Sequence, residues 1–219
     1  MTTLLALYGH PFSSYTWKAQ IALYANATPF EFRMLGGEHP HHAEFVSAVS
    51  PLGKFPVLTD GDTTVFEATA IIEYLHAFHP GPAPLIPADP AAAVRTRMLD
   101  RVFDNYVMTP MQEIVGAAIR SPGAPDPGII GRARDQLERA YRWLDEWLAH
   151  EAPDEGITLI ECAAAPALFY ADWTHPIPLE HDRLRQWRAH LLKLPPIARC
   201  VDEARPYRAY FPLGAPDRD

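Results

Sequence analysis

The chain has 219 residues, 48% of them hydrophobic and 21% charged, which is long enough for one large or two small packed cores and excludes disordered and fibrous classes. Nineteen Lys and Arg stand against 27 Asp and Glu, a formal charge of -8 with no run of like charges, which argues against nucleic acid or an anionic membrane as partner. No stretch of eighteen apolar residues is present to span a bilayer, and proline, at 23 residues, is about twice its usual ~5%, so prolines should mark where elements begin and end.

Thr2 to Tyr8 is a short apolar run ending in an aromatic, read as a buried strand closed by Gly9-His10-Pro11. Trp17, Gln20, Ile21 and Tyr24 then repeat at helical spacing after Ser13 or Ser14, both good N-cap residues. Phe30 to Met34 alternates with period two and predicts a second strand. A Gly36-Gly37 break and a short polar helix around His42 to Ala48 follow. Pro56 to Thr59, an Asp60-Gly61-Asp62 turn and Thr63 to Phe66 predict a hairpin, and Glu67 to His79 a helix with Ile71, Tyr74, Leu75 and Phe78 on one face. The order βαβαββα predicts a small mixed sheet with helices on both faces, the thioredoxin-like pattern.

From Pro80 to Pro90 five of eleven residues are proline, which predicts an extended linker. Every later periodic segment is helical. Leu99, Val102, Phe103 and Tyr106 form a stripe that continues through Met111, Ile114 and Val115 past a predicted kink at Pro110. Ile130 to Leu148, Leu159 to Tyr170, Leu184 to Leu191 and a segment opened by Pro195-Pro196 give four further helices. The expected organisation is an α/β domain over residues 1–80, a proline-rich linker over 81–90 and an all-α helical bundle over 91–219. Cys162 and Cys200 show no CxxC spacing and the chain starts without a basic n-region, so a reducing cytoplasmic location is expected.

Four segments could carry chemistry. Ser13 and Ser14 stand where the first strand meets the first helix, and a helix N-terminus offers unpaired N–H donors and partial positive charge to an anion. In a thioredoxin-type fold this is the place of a redox CxxC. Here Ser13 and Thr16 hold the spacing, so disulfide exchange is excluded for want of a thiolate, while a thiolate brought by a ligand can be hydrogen-bonded. Second, Pro56 opens a strand in Gly53-Lys54-Phe55-Pro56-Val57; a cis Phe55–Pro56 bond would turn the Phe55 backbone toward a cleft, where it could pair with an extended peptide. Third, Glu67 and Ala68 begin a helix, where Glu67 can take an ammonium and the helix N-terminus a carboxylate, with His39 and Lys54 as the nearby cations for a second carboxylate. Fourth, Thr158 to Glu161 reads as a structural capping box. No metal is expected, since the His-rich stretch lacks Cys or carboxylate ligands at a matching spacing.

Together, in this order and over nearly the whole chain, these segments resemble the cytosolic glutathione transferase family, serine-type, as in its zeta, theta and delta classes. YGHPFSSYTWKAQIAL looks like the first helix of those classes, PLGKFPVL the cis-proline segment, and FEATAIIEYL the segment that holds the γ-glutamyl head. The resemblance implies glutathione as co-substrate, Ser13 or alternatively Ser14 on its sulfur, and Phe55 beside cis-Pro56 pairing with the cysteinyl unit. It also implies Glu67 on the γ-glutamyl group, and Lys54 and His39 near the glycyl carboxylate. Ala68 departs from the usual serine, which leaves its backbone N–H but no hydroxyl unless Thr69 supplies one. Phe12, Phe103, Tyr106 and Trp173 are candidate walls for a small hydrophobic electrophile, although core residues have the same spacings. The resemblance implies a homodimer. Alternatives are a non-catalytic binding module of the same scaffold and a zeta-type glutathione-dependent isomerase or dehalogenase.

Overall fold

The computed structural model describes residues 4–151 and 156–219; Thr2 and Thr3 of the first predicted strand lie outside the described residues. The first half contains β1 (Leu5–Gly9), α1 (Ser14–Ala25), β2 (Phe30–Met34), α2 (Pro40–Val49), β3 (Val57–Asp60), β4 (Thr63–Phe66) and α3 (Ala68–Phe78). The sheet order is β2-β1-β3-β4, with β2 parallel to β1 and the other pairs antiparallel. β1 is buried along its whole length because both of its faces are covered, hence its unbroken apolar run. Leu5 and Leu7 point into the core shared with Trp17, Ile21, Ile71 and Leu75 of α1 and α3, while Ala6 and Tyr8 face Val46 of α2 on the other side. This is a thioredoxin-like domain.

Pro80 to Asp89 carries neither helix nor strand. The second half is helical: α4 (Pro90–Val102), a π-helical turn (Phe103–Met108), α5 (Thr109–Arg120), α6 (Pro127–His150), α7 (Leu159–Thr174), α8 (Asp182–Leu191), α9 (Pro195–Ala204) and a 3-10 turn (Arg205–Tyr210). α7 is the buried centre, and its alanine-rich face lets α1 and the π turn approach closely. The predicted capping box is present: Thr158 N–H donates to Glu161 Oε2 at 2.8 Å and Ile160 N–H to Thr158 Oγ1 at 3.1 Å.

Just before Pro110, where a kink is predicted, the helix inserts the π turn, and Thr109 satisfies the Asp104 carbonyl with both its backbone N–H and its hydroxyl, the latter at 2.9 Å. The wider turn shifts the helical register, so Tyr106, on the predicted apolar stripe, is turned out and 60% exposed while Val107 and Met108 are buried in its stead.

Candidate active site

The turn between β1 and α1 is held from several sides. Trp17, fully buried, donates its indole N–H to the Pro11 carbonyl at 2.6 Å, and Tyr170 of α7 donates its hydroxyl to the Phe12 carbonyl at 3.0 Å. A Cβ on Gly9 would lie 2.6 Å from Thr16 Oγ1, so only glycine fits there. Ser13 is the N-cap: its N–H donates to the His10 carbonyl at 2.9 Å and its Oγ accepts the Thr16 N–H at 3.3 Å. The Phe12 N–H donates to His10 Nδ1 at 3.1 Å, and burial holds the His10 imidazole below its ordinary pKa.

The Phe55–Pro56 bond is cis, after Gly53 in a left-handed turn at φ +61. The Lys54 N–H is taken by Ser50 Oγ at 3.0 Å. Among the described residues, no hydrogen bond occupies the Phe55 N–H or C=O. Glu67 caps α3 with φ 71 and ψ 118, a strained conformation for a residue with a side chain, and its side chain makes no capping bond.

Lys54, Phe55, Pro56, Glu67 and Ala68 line one cleft of about 500 Å³, closed on the far side by Tyr15, Arg101, Asp104, Asn105 and Gln112. Burial, with the nearby charges of Asp104 and Glu67, pushes the Tyr15 hydroxyl up to about 12, so it is a neutral donor at physiological pH. Ser13 and Ser14 line a second cleft of about 400 Å³ with Phe12, Met111, Val115, Ile119, Tyr170 and Phe211, and Gln112 borders both clefts. No lining residue of the second cleft carries a charge.

The remaining candidates lie elsewhere. His39 precedes α2, exposed, its ring 5.1 Å from that of His42, and it lines neither cleft. Phe103 is fully buried against Trp187, and Trp173 packs behind Phe12 with centroids 6.3 Å apart. Thr69 does not stand in for the missing serine hydroxyl, because its Oγ1 is engaged with Lys18 and Asp100. Sequence reasoning missed Tyr15, Arg101, Asp104 and Gln112, and the spacing of Met111 and Val115 on one helical stripe was the available signal for the second cleft. Among the described residues no group of His, Cys, Asp and Glu is arranged to hold a metal ion, and no helix is long and apolar enough to cross a membrane.

A thioredoxin-like domain followed by a helical domain, with clefts where the first and third helices begin, is the architecture of glutathione transferases. Residues 7–83 match the family model for the glutathione S-transferase N-terminal domain. It is 29% identical over 213 residues to a "Probable maleylacetoacetate isomerase" of Vibrio cholerae, covering 92% of this chain and 97% of that one. A "Glutathione S-transferase" of Pseudomonas putida is 33% identical over 142 residues, 64% of this chain and 62% of that one. The fold is similar to a glutathione S-transferase from Methylobacillus flagellatus solved with GSH bound, with TM-score 0.78, 23% identity, and 90% and 98% of the two chains covered.

Proposed function

We propose that the chain is a glutathione transferase that activates the thiol of glutathione for attack on a small, uncharged hydrophobic electrophile. The observation that carries this reading is the pair of clefts meeting at Gln112, one lined by an unpaired peptide backbone and charged groups, the other uncharged with two serine hydroxyls at its edge. Glutathione is an extended peptide with an ammonium and two carboxylates, so the first cleft matches it. Glu67 takes the ammonium, the α3 N-terminus with the Ala68 N–H the neighbouring carboxylate, the Phe55 backbone the cysteinyl unit, and Lys54 the glycyl carboxylate.

The sulfur then reaches the α1 N-terminus. A free thiol has a pKa of about 8.5, and lowering it by two units needs roughly 2.7 kcal/mol of preferential stabilisation of the anion. A hydroxyl of Ser13, or of Ser14, donating to the charged sulfur supplies roughly 1.5–3 kcal/mol and the helix N-terminus roughly 0.3–1. The thiol proton passes to solvent, the sulfur bonds to the electrophilic carbon, and the leaving group departs as an anion. The proposal includes residues 1–80 as the glutathione-binding domain, 81–90 as linker, 91–219 as the domain completing the electrophile pocket, and a homodimer.

The isomerase reading has the Vibrio cholerae relative in its favour. Against it, the substrate named there is a dicarboxylic acid, and the second cleft offers it no cation. The module reading rests on Ala68, but one neutral hydrogen bond is worth only roughly 0.5–1.5 kcal/mol, too little to abolish glutathione binding. Calorimetric titration with glutathione and a chlorodinitrobenzene assay test the proposal. Binding with turnover is expected; binding with no turnover of any electrophile would establish the module, and no binding would overturn both.

A further inference from the structure

Lys18 is fully buried one turn beyond Ser14, a place lysine almost never occupies without partners. All three of its ammonium hydrogens have acceptors. Nζ lies 2.8 and 2.9 Å from the two oxygens of Asp104 and 2.9 Å from Thr69 Oγ1, and it forms a closer ion pair with Asp100. The Thr69 hydroxyl donates to Asp100 Oδ2 at 3.0 Å, and Arg101 closes the outer side, with Nη2 2.7 Å from Asp104 Oδ2. Two cations and two carboxylates balance. The cluster joins α1, the first turn of α3, the last turn of α4 and the π turn; the start of α1 carries the serines of the second cleft, while α3 and the π turn give Ala68, Asp104 and Asn105 to the first.

We infer that Lys18 is a positioning residue of the glutathione site, holding the start of α3 and the π turn in place relative to the start of α1. The inference rests on the glutathione reading above. On that reading the tripeptide spans from Glu67 and Ala68 to Ser13, so its affinity depends on how the two helix starts are spaced. A packed apolar side chain at residue 18 would fill the same volume at no desolvation cost, but without the three directional bonds that set that spacing. A shift of the α3 start weakens glutathione binding, while the chemistry at saturation, set by α1 and its own serines, changes less.

The test uses the full chain with Lys18→Met and Thr69→Val, the second deleting one hydroxyl and leaving no buried charge unpaired. Thr69→Val is expected to raise the KM and the calorimetric Kd for glutathione by about three- to tenfold, with kcat held within about threefold. Lys18→Met is expected to raise both by about tenfold or more. If Lys18→Met does not fold, as judged by circular dichroism, Thr69→Val decides the matter. Wild-type KM and Kd in a folded Thr69→Val, or a loss confined to kcat, overturns the role of Lys18 alone. A wild-type protein that does not bind glutathione sinks this inference together with the reading beneath it.

Discussion

Ser13 accepts the backbone N–H of Thr16 on its hydroxyl oxygen at 3.3 Å, so capping α1 uses an acceptor site of that hydroxyl and leaves its proton free. One side chain can thus close the helix and donate to an anion in the second cleft, which it lines. Ser13→Ala is expected to lower kcat/KM near neutral pH by about 3- to 25-fold, as the bound thiol titrates one to two units higher, with the deficit shrinking as pH rises toward 9. The lost cap should also cost about 0.5–2 kcal/mol of stability. A pH–rate profile of the variant superimposable on wild type would remove Ser13 from the mechanism and leave Ser14 to be tested in the same way.

Thr158 and Glu161 bond each other across the first turn of α7, Thr158 Oγ1 lying 2.6 Å from Glu161 Oε2. Because α7 is the centre of the helical half, this cap should matter more to stability than to activity. Thr158→Ala is expected to cost about 1–2 kcal/mol, lowering the calorimetric melting temperature by about 2–8 °C in a chain of this size. Activity at 25 °C should stay near wild type. A melting temperature within about 1 °C of wild type would show that the cap is dispensable.

Features set by neighbours in sequence were legible in advance. The Ser13 cap, the Thr158–Glu161 box, the proline that opens β3 and the strand-helix order depend on residues a few positions apart. The buried ion cluster was not, because Asp100 and Asp104 lie more than eighty residues from Lys18 and nothing in a helical pattern distinguishes a buried lysine from a solvated one. Tyr106 was misplaced because a 3.6-residue period was carried through a segment that takes a wider turn. His39, which the resemblance places near the glycyl carboxylate, precedes α2 on the opposite face of the sheet from α1 and α3, so no hydrophobic pattern ties it to the cleft segments.

Asp60, at the end of β3, accepts the Tyr74 hydroxyl at 2.9 Å and meets His79 Nε2 at 2.7 Å, tying the last turns of α3 to the hairpin. These two partners, His79 foremost, hold its carboxyl below the ordinary value. A lowered native pKa means that the contribution is complete above about pH 4, where the unfolded chain would titrate, and is lost as pH falls through the native value. Asp60→Asn should therefore be less stable than wild type by about 0.2–1 kcal/mol near pH 6, with the two converging near pH 2. Urea unfolding across that range measures the difference, and a gap that stayed constant would rule out the carboxylate as its source.

The second cleft contains no charged side chain, which makes its preference between neutral and anionic ligands a direct reading of its lining. A carboxylate entering it loses water and gains no cation, so the wild-type protein should bind a nitroarene carboxylic acid more weakly than its methyl ester. Ile119 lines this cleft but is 62% exposed, so it can be replaced without opening the core. Ile119→Arg would place a solvated cation at the rim, and the inhibition constant of the acid should fall about two- to fivefold while that of the ester stays unchanged. If the wild-type protein binds acid and ester equally, the lining does not select against charge, and the dicarboxylate substrate of the Vibrio cholerae relative returns as the better reading of this cleft.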